Sequence, residues 1–268
     1  MISVDQFWKQ YGEFTAVAGI TFDVPAGAIA ALVGPNGAGK TTTIRTLCGI
    51  LRPTSGRIEV AGSDLATDPL GVKKSAAYVP DDPPLFEALT IWEHLQFVAS
   101  AHQLVDWETD ADRLLKQFDL RDKKHTLASE LSRGMRQKVA ISCAYLRRPD
   151  VLLLDEPMTG LDPPSIRTLK QTIADQGSRG ATVLVSSHLL SLVDDLCDHL
   201  ILIRRGELLF GGPLEQARAE FGGPNQSLEE VFFRLTNESD KSPEPLPDPS
   251  TTLDSSPTQD SSATVNDV

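Results

Sequence analysis

The 268-residue sequence is short of cysteine, of positive charge and of long apolar runs, and each shortage removes a class of protein. Its three cysteines, Cys48, Cys143 and Cys197, are far apart and form no C-x-x-C pair, so neither a disulfide framework nor a zinc site is expected. A reducing, intracellular setting fits that usage. Lys and Arg number 25 against 37 Asp and Glu, a formal net charge of -12. A chain that binds nucleic acid through its phosphates concentrates basic residues on one face, so this balance argues against such a partner, as it does against an anionic membrane surface. No window approaches about 18 uncharged apolar residues, so no membrane span is expected. The opening MISVDQFWKQYGE carries acids and polar groups with no apolar core, and a signal peptide is not expected either.

At roughly 100 to 200 residues per domain, the length suits one large domain or two small ones. The charge is unevenly spread. Residues 237–268 hold seven acids, one lysine, five prolines and seven serines, which accounts for -6 of the -12. With so little apolar surface to bury, this stretch is expected to be a disordered tail. Before it, Ser227–Leu235 reads as a short amphipathic helix with Leu228, Val231, Phe232 and Leu235 on one face, inside a C-terminal segment of residues 222–236.

In the body, Ala28–Val33, Val151–Leu154, Ala181–Val185 and Leu200–Ile203 are short continuous apolar runs. Such runs read as strands buried on both faces, the habit of a parallel sheet covered by helices. Residues from about 85 to 148 carry helical spacing instead, with Ile91, Leu95, Val98 and Ala99 on one face and Val139, Ile141, Cys143, Ala144 and Leu146 on another. The class is therefore α/β, with helical material interrupting the sheet.

The first of these strands runs into Gly34-Pro35-Asn36-Gly37-Ala38-Gly39-Lys40-Thr41 and a helical-looking Thr42–Cys48. This satisfies G-x-x-x-x-G-K-[ST] in the strand-loop-helix context that the motif needs, and a chance match in a chain of this length is roughly one in a hundred. The glycines allow backbone N–H groups to gather around a phosphate, and the helix start adds partial positive charge. Lys40 can reach the β and γ phosphates, while the Thr41 hydroxyl is placed to ligate Mg²⁺. Val151–Leu154 ends in Asp155 and Glu156, two carboxylates where open α/β sheets bind ligands. Asp155 would hold Mg²⁺, and Glu156 would polarise the water that attacks the γ-phosphate.

These motifs, with Leu131-Ser132-Arg133-Gly134-Met135 between them, resemble the ATP-binding cassette (ABC) ATPases over residues 1–221. The resemblance implies a P-loop NTPase core with a mainly parallel sheet, an N-terminal antiparallel β portion and an inserted α-helical subdomain at about 85–148. It also implies ATP as ligand, held by Asn36, Gly37, Ala38, Gly39, Lys40, Thr41 and Thr42. Ser132 and Gly134 stand where the family signature LSGGQ contacts the ATP of a second subunit, a reasonable task for a capped helix N-terminus. Arg133 and Met135 depart from that consensus. The form S-x-G-M-x-Q-K resembles the branch whose permease is a separate chain, often an exporter. Tyr11 resembles the aromatic that stacks on adenine, with Phe7 and Trp8 as competitors. Gly160-Leu161-Asp162 resembles the D-loop, and His188 the switch histidine that contacts the γ-phosphate. Asp81 stands where the family usually carries a Gln that ligates Mg²⁺ and senses the membrane partner, and a carboxylate can take that ligand role.

The function so implied is an ATPase subunit, cytoplasmic and peripheral on the membrane, that dimerises head to tail with itself or a second cassette and energises a separately encoded transmembrane permease. Nucleic acid is not an expected partner. The rivals are a soluble cassette ATPase acting on DNA or ribosomes, whose relatives carry long coiled coils or fused cassettes, and a regulatory subunit that does not drive transport.

Overall fold

The computed structural model describes residues 1–187 and 196–221. The expected helix near 227–235, the acidic tail and His188 lie outside the described residues. Two sheets share one core. The smaller is antiparallel in the order β2-β1-β4-β5, built from β1 (Ile2–Tyr11), β2 (Phe14–Val24), β4 (Ser55–Val60) and β5 (Ser63–Asp64). The larger runs β10-β9-β3-β8-β7-β6. Its strands β3 (Ile29–Val33), β6 (Ala76–Val79), β7 (Val151–Asp155), β8 (Thr182–Ser187) and β9 (His199–Arg204) pair in parallel, and β10 (Glu207–Pro213) closes one edge antiparallel to β9. The expected class, α/β with a mainly parallel sheet and an antiparallel N-terminal portion, is what the chain adopts.

The apolar runs are continuous because both faces of these strands are covered. Ala30, Leu32, Val151, Leu153 and Leu184 pack toward the small sheet with Ile2, Phe7, Ile20 and Val60. Their neighbours Ile29, Ala31, Val33, Leu152, Leu154 and Val183 pack toward the helices on the other side. A period of two thus serves two cores at once, which confines polar residues to the strand ends, as with Asp155 on β7 and Ser186 and Ser187 on β8.

The helices are α1 (Lys40–Leu47), α2 (Pro69–Ser75), α3 (Ile91–Ala101), α4 (Trp107–Gln117), α5 (Arg133–Leu146), α6 (Pro163–Ser178) and α7 (Leu214–Phe221). Helix α3 starts on a capping box: the Thr90 hydroxyl accepts from the Glu93 N–H at 3.2 Å, and Glu93 accepts from the Thr90 N–H at 2.7 Å. Ile91, Leu95 and Ala99 are buried from α3, and Val139, Ile141, Ala144 and Leu146 from α5, while Cys143 is only partly covered. Among the described residues no helix is long and apolar enough to cross a membrane.

Candidate functional site

Between β3 and α1 the backbone is confined so closely that side chains are excluded at two points. A Cβ on buried Gly34 would stand 2.3 Å from the Ile203 carbonyl oxygen. Gly39 caps α1 at φ +105, a left-handed geometry suited to glycine, and a Cβ there would meet the Ala16 carbonyl at 2.7 Å. The loop closes through Ala38, whose N–H donates to the Pro35 carbonyl and whose own carbonyl accepts from Gly206 N–H, both at 3.1 Å. Asn36 and Gly37 stay exposed at its tip, and Thr41 is exposed on the first turn of α1.

Lys40 is buried, and its Nζ donates to the Gly34 carbonyl at 2.7 Å. The same Nζ stands 3.3 Å from Oε1 of Glu156. Together these groups border a cleft of about 330 Å³ lined by the loop, Thr41, Thr42, Phe14, Asp81 and Glu156. The sequence-predicted Asn36, Gly37, Ala38, Gly39, Lys40, Thr41, Thr42, Asp81 and Glu156 are thus brought to one place.

Asp155, also sequence-predicted, is buried at the end of β7, and its Oδ1 accepts from the Ser186 hydroxyl at 2.7 Å. Ser186 sits beside Asp155 in the parallel β7–β8 register. The same hydroxyl oxygen accepts from the Glu156 N–H at 2.9 Å. Glu156 has φ +46 and precedes Pro157, a sparsely populated backbone state for a non-glycine residue. Ser186 therefore fixes one carboxylate through its side chain and the other through its backbone. Sequence reasoning missed it; the one signal was a serine pair prolonging an apolar strand next to Asp155. It also missed Phe14, whose exposed ring borders the cleft.

Tyr11 ends β1 opposite Phe14 and is exposed, with Lys9 Nζ 5.0 Å from its ring centre. It is not among the residues lining the cleft. Phe7 is fully buried in the core between the sheets. Ser132 caps α5, its hydroxyl accepting from Met135 N–H at 3.4 Å. Gly134 lets this helix start approach the turn before α6, since a Cβ there would stand 2.7 Å from the Gly160 carbonyl. Asp162 caps α6, and the hydrogen bond from Ser165 holds its carboxyl below the usual range. Ser132 and Gly134 line no part of the cleft that holds Lys40. A larger polar cleft of about 530 Å³ lies elsewhere, around Arg113, Arg148 and Arg179. Arg113 and Arg148 both pair there with Asp110, and none of the phosphate-loop residues reaches it.

The donor set fits Mg²⁺ bound jointly with phosphates. Among the described residues no group of three His, Cys, Asp or Glu could hold a metal by itself. The Thr41 hydroxyl lines the cleft, whereas buried Asp155 stands at the end of β7 and is not among the lining residues; a hydroxyl and a carboxylate are the sparse oxygen ligation that Mg²⁺ takes when substrate phosphates and water complete its shell.

The chain is similar to known proteins in sequence and in fold. The family described as "ABC transporter" matches residues 17–159. The ABC-type transporter ATP-binding protein EcsA of Bacillus subtilis (strain 168) is 36% identical over 241 residues, covering 89% of this chain and 97% of that protein. The SkfA peptide export ATP-binding protein SkfE of the same organism is 37% identical over 78% of this chain and 87% of its own length. A solved structure titled "Structure of ATP binding subunit of ABC transporter" superposes with a TM-score of 0.84 at 35% identity, covering 88% of this chain and 99% of that one.

Proposed function

This chain belongs to the ATP-binding subunits of ABC transporters, and from that membership we propose that it energises a separately encoded permease through ATP-driven closure of two cassettes, head to tail. The family settles the coarser activity: the chain binds ATP and is an ATPase. The observation that carries the finer reading is the cleft in which Lys40, Glu156 and the phosphate-loop backbone converge, with the capped start of α5 placed outside it. A helix N-terminus that faces no phosphate of its own chain is suited to one held by a second subunit.

In this reading the N–H groups of residues 36–42 and Lys40 bind the triphosphate. Thr41 and Asp155 hold Mg²⁺, which when bound neutralises phosphate charge, and Asp81 contributes to its binding or to coupling. Glu156, with its backbone pinned by Ser186, takes the proton of the attacking water. Ser132 and Gly134 contact the partner's nucleotide, Tyr11 the adenine, and His188 the γ-phosphate. Residues 1–221 form the ATPase unit, with α3 to α5 as its inserted helical part.

The permease contact is assigned to the groove between β6 and α3, where exposed Phe86 and Phe97 pack edge to face beside Pro83, Val98 and Cys143. Docking there makes the subunit peripheral on the cytoplasmic face of the membrane. Export is the favoured direction, in keeping with the name of the SkfE relative. The test is purification of the tagged chain from solubilised membranes of a host that expresses it: a membrane-spanning protein should copurify with it, and the pair should hydrolyse ATP. Replacing Phe86 and Phe97 by Ser should abolish copurification while leaving ATPase activity of the isolated subunit unchanged; copurification undiminished would sink this contact.

A further inference from the structure

Arg133 opens α5, but its side chain leaves the helix and joins two other segments. Its stem lies over Gly160, where φ is +78 and a Cβ would stand 3.3 Å from Arg133 Cδ. Beyond that contact, Nη2 donates to Oδ1 of Asp81 at 3.0 Å, across 52 positions of sequence. Asp81 lines the same cleft as Lys40, Thr41 and Glu156. One side chain therefore spans the start of α5, the turn before α6 and the segment after β6. Two of the three positions that depart from the family pattern, Arg133 and Asp81, are partners.

The charge arithmetic gives this pairing a purpose. A cleft that receives a triphosphate gains several negative charges, and an unpaired carboxylate on its rim repels them. Here the guanidinium covers that carboxylate. Both side chains are nearly half exposed, 49% for Arg133 and 45% for Asp81. Exposed pairs of this kind add little stability, so the bond opens easily when a stronger partner arrives.

We infer that Arg133 is the positioning residue of Asp81: it shields the carboxylate while the cleft is empty, and nucleotide-bound Mg²⁺ displaces it as the partner of Asp81. This rests on the proposal that the cleft takes Mg²⁺ and ATP. The exchange has two opposite signatures. Without Mg²⁺, loss of Arg133 exposes a bare carboxylate to the triphosphate and weakens binding. With Mg²⁺, loss of Arg133 removes a competitor for Asp81 and lowers the cation concentration needed.

The experiment measures binding of a fluorescent ATP analogue in EDTA and across a Mg²⁺ titration, for wild type, Arg133→Gly, Arg133→Lys, Asp81→Gln and the Arg133→Gly, Asp81→Gln double variant. Arg133→Gly should weaken Mg²⁺-free binding about threefold to tenfold and lower the half-saturating Mg²⁺ by a similar factor. Arg133→Lys should stay near wild type, and in the Asp81→Gln background Arg133→Gly should change neither quantity. Equal effects of Arg133→Gly with and without Asp81→Gln would overturn this inference alone. A wild type that bound no ATP in either condition would overturn the cleft assignment and this inference with it.

Discussion

The Nζ of Lys40 and Oε1 of Glu156 stand 3.3 Å apart, so the lysine of the phosphate loop and the carboxylate after β7 neutralise each other across the cleft. Both side chains are largely shielded, at 7% and 17% exposure. Neither charge can be removed without leaving the other poorly solvated. In the function proposed above, an arriving γ-phosphate would take Lys40 as its own partner and leave Glu156 to accept a proton from water. Replacing Glu156 by Gln keeps the shape and one hydrogen-bond acceptor but removes the base. Turnover should fall by about 100-fold or more, within the usual range for a general base, while ATP affinity stays within about threefold. Light scattering should then show an ATP-dependent dimer. Normal turnover in this variant would take Glu156 out of its role.

Ser186 offers a separate test of the same carboxylates. Its hydroxyl donates to Asp155 at 2.7 Å and accepts from Glu156 N–H at 2.9 Å, with the whole residue buried. Ser186→Ala strands both groups, and the cost of unpaired buried polar groups is about 1–3 kcal/mol. Urea unfolding should report that loss. Because Glu156 sits at φ +46 and its N–H bond to Ser186 helps hold it there, kcat should fall by more than KM for ATP rises. A variant with reduced stability and unaltered kcat would reduce Ser186 to a packing residue.

Parts of this site were legible in the sequence for a physical reason. The strands of the larger sheet read as uninterrupted apolar runs because each is buried on both faces, and the phosphate loop has a glycine pattern few other structures require. The strand expected at Ala181–Val185 begins one residue later and continues to Ser187, since Ser186 and Ser187 are buried polar residues that look like punctuation. Strand β1 shows no clean alternation because its pairing with β2 shifts between Val4 and Phe7, where Gln6 takes φ +46. The ion pair of Asp81 with Arg133 could not be read at all. Its partners are 52 residues apart and meet only through the approach that Gly134 and Gly160 permit.

Two glycines of the phosphate loop should respond differently to the same added methyl group. Gly37 has φ +80 with nothing within 4 Å of a built Cβ, so Gly37→Ala meets only the left-handed penalty of about 1–2 kcal/mol. Gly39 has φ +105 and a Cβ there would stand 2.7 Å from the Ala16 carbonyl, which belongs to β2 and cannot swing aside. Gly39→Ala should therefore displace the start of α1 and with it Lys40. Thermal melts with and without ATP separate the cases: Gly37→Ala keeps an ATP-induced rise in Tm, and Gly39→Ala loses it. Equal rises would show that the loop yields at Gly39.

Alkaline stability should be governed by thiols that burial keeps protonated. Burial pushes Cys48 up to about 11 and Cys197 up to about 12, from an ordinary 9.0. Tyr145 is also raised by burial. Below about pH 9 these thiols carry their proton in both folded and unfolded chains, and stability is undiminished. Above it the unfolded chain ionises first, binds fewer protons than the native state, and gains population. Each pH unit separating the two states is worth about 1.4 kcal/mol, and because the native thiol itself begins to ionise near pH 11, Cys48 contributes a loss of about 2 kcal/mol as pH rises from 9 to 11. Urea midpoints followed from pH 7 to 10.5 should be level at first and then fall. Cys48→Ala, which loses a little packing at pH 7, should fall less steeply above pH 9, and parallel curves for the two proteins would show that the Cys48 thiol is not what alkali ionises.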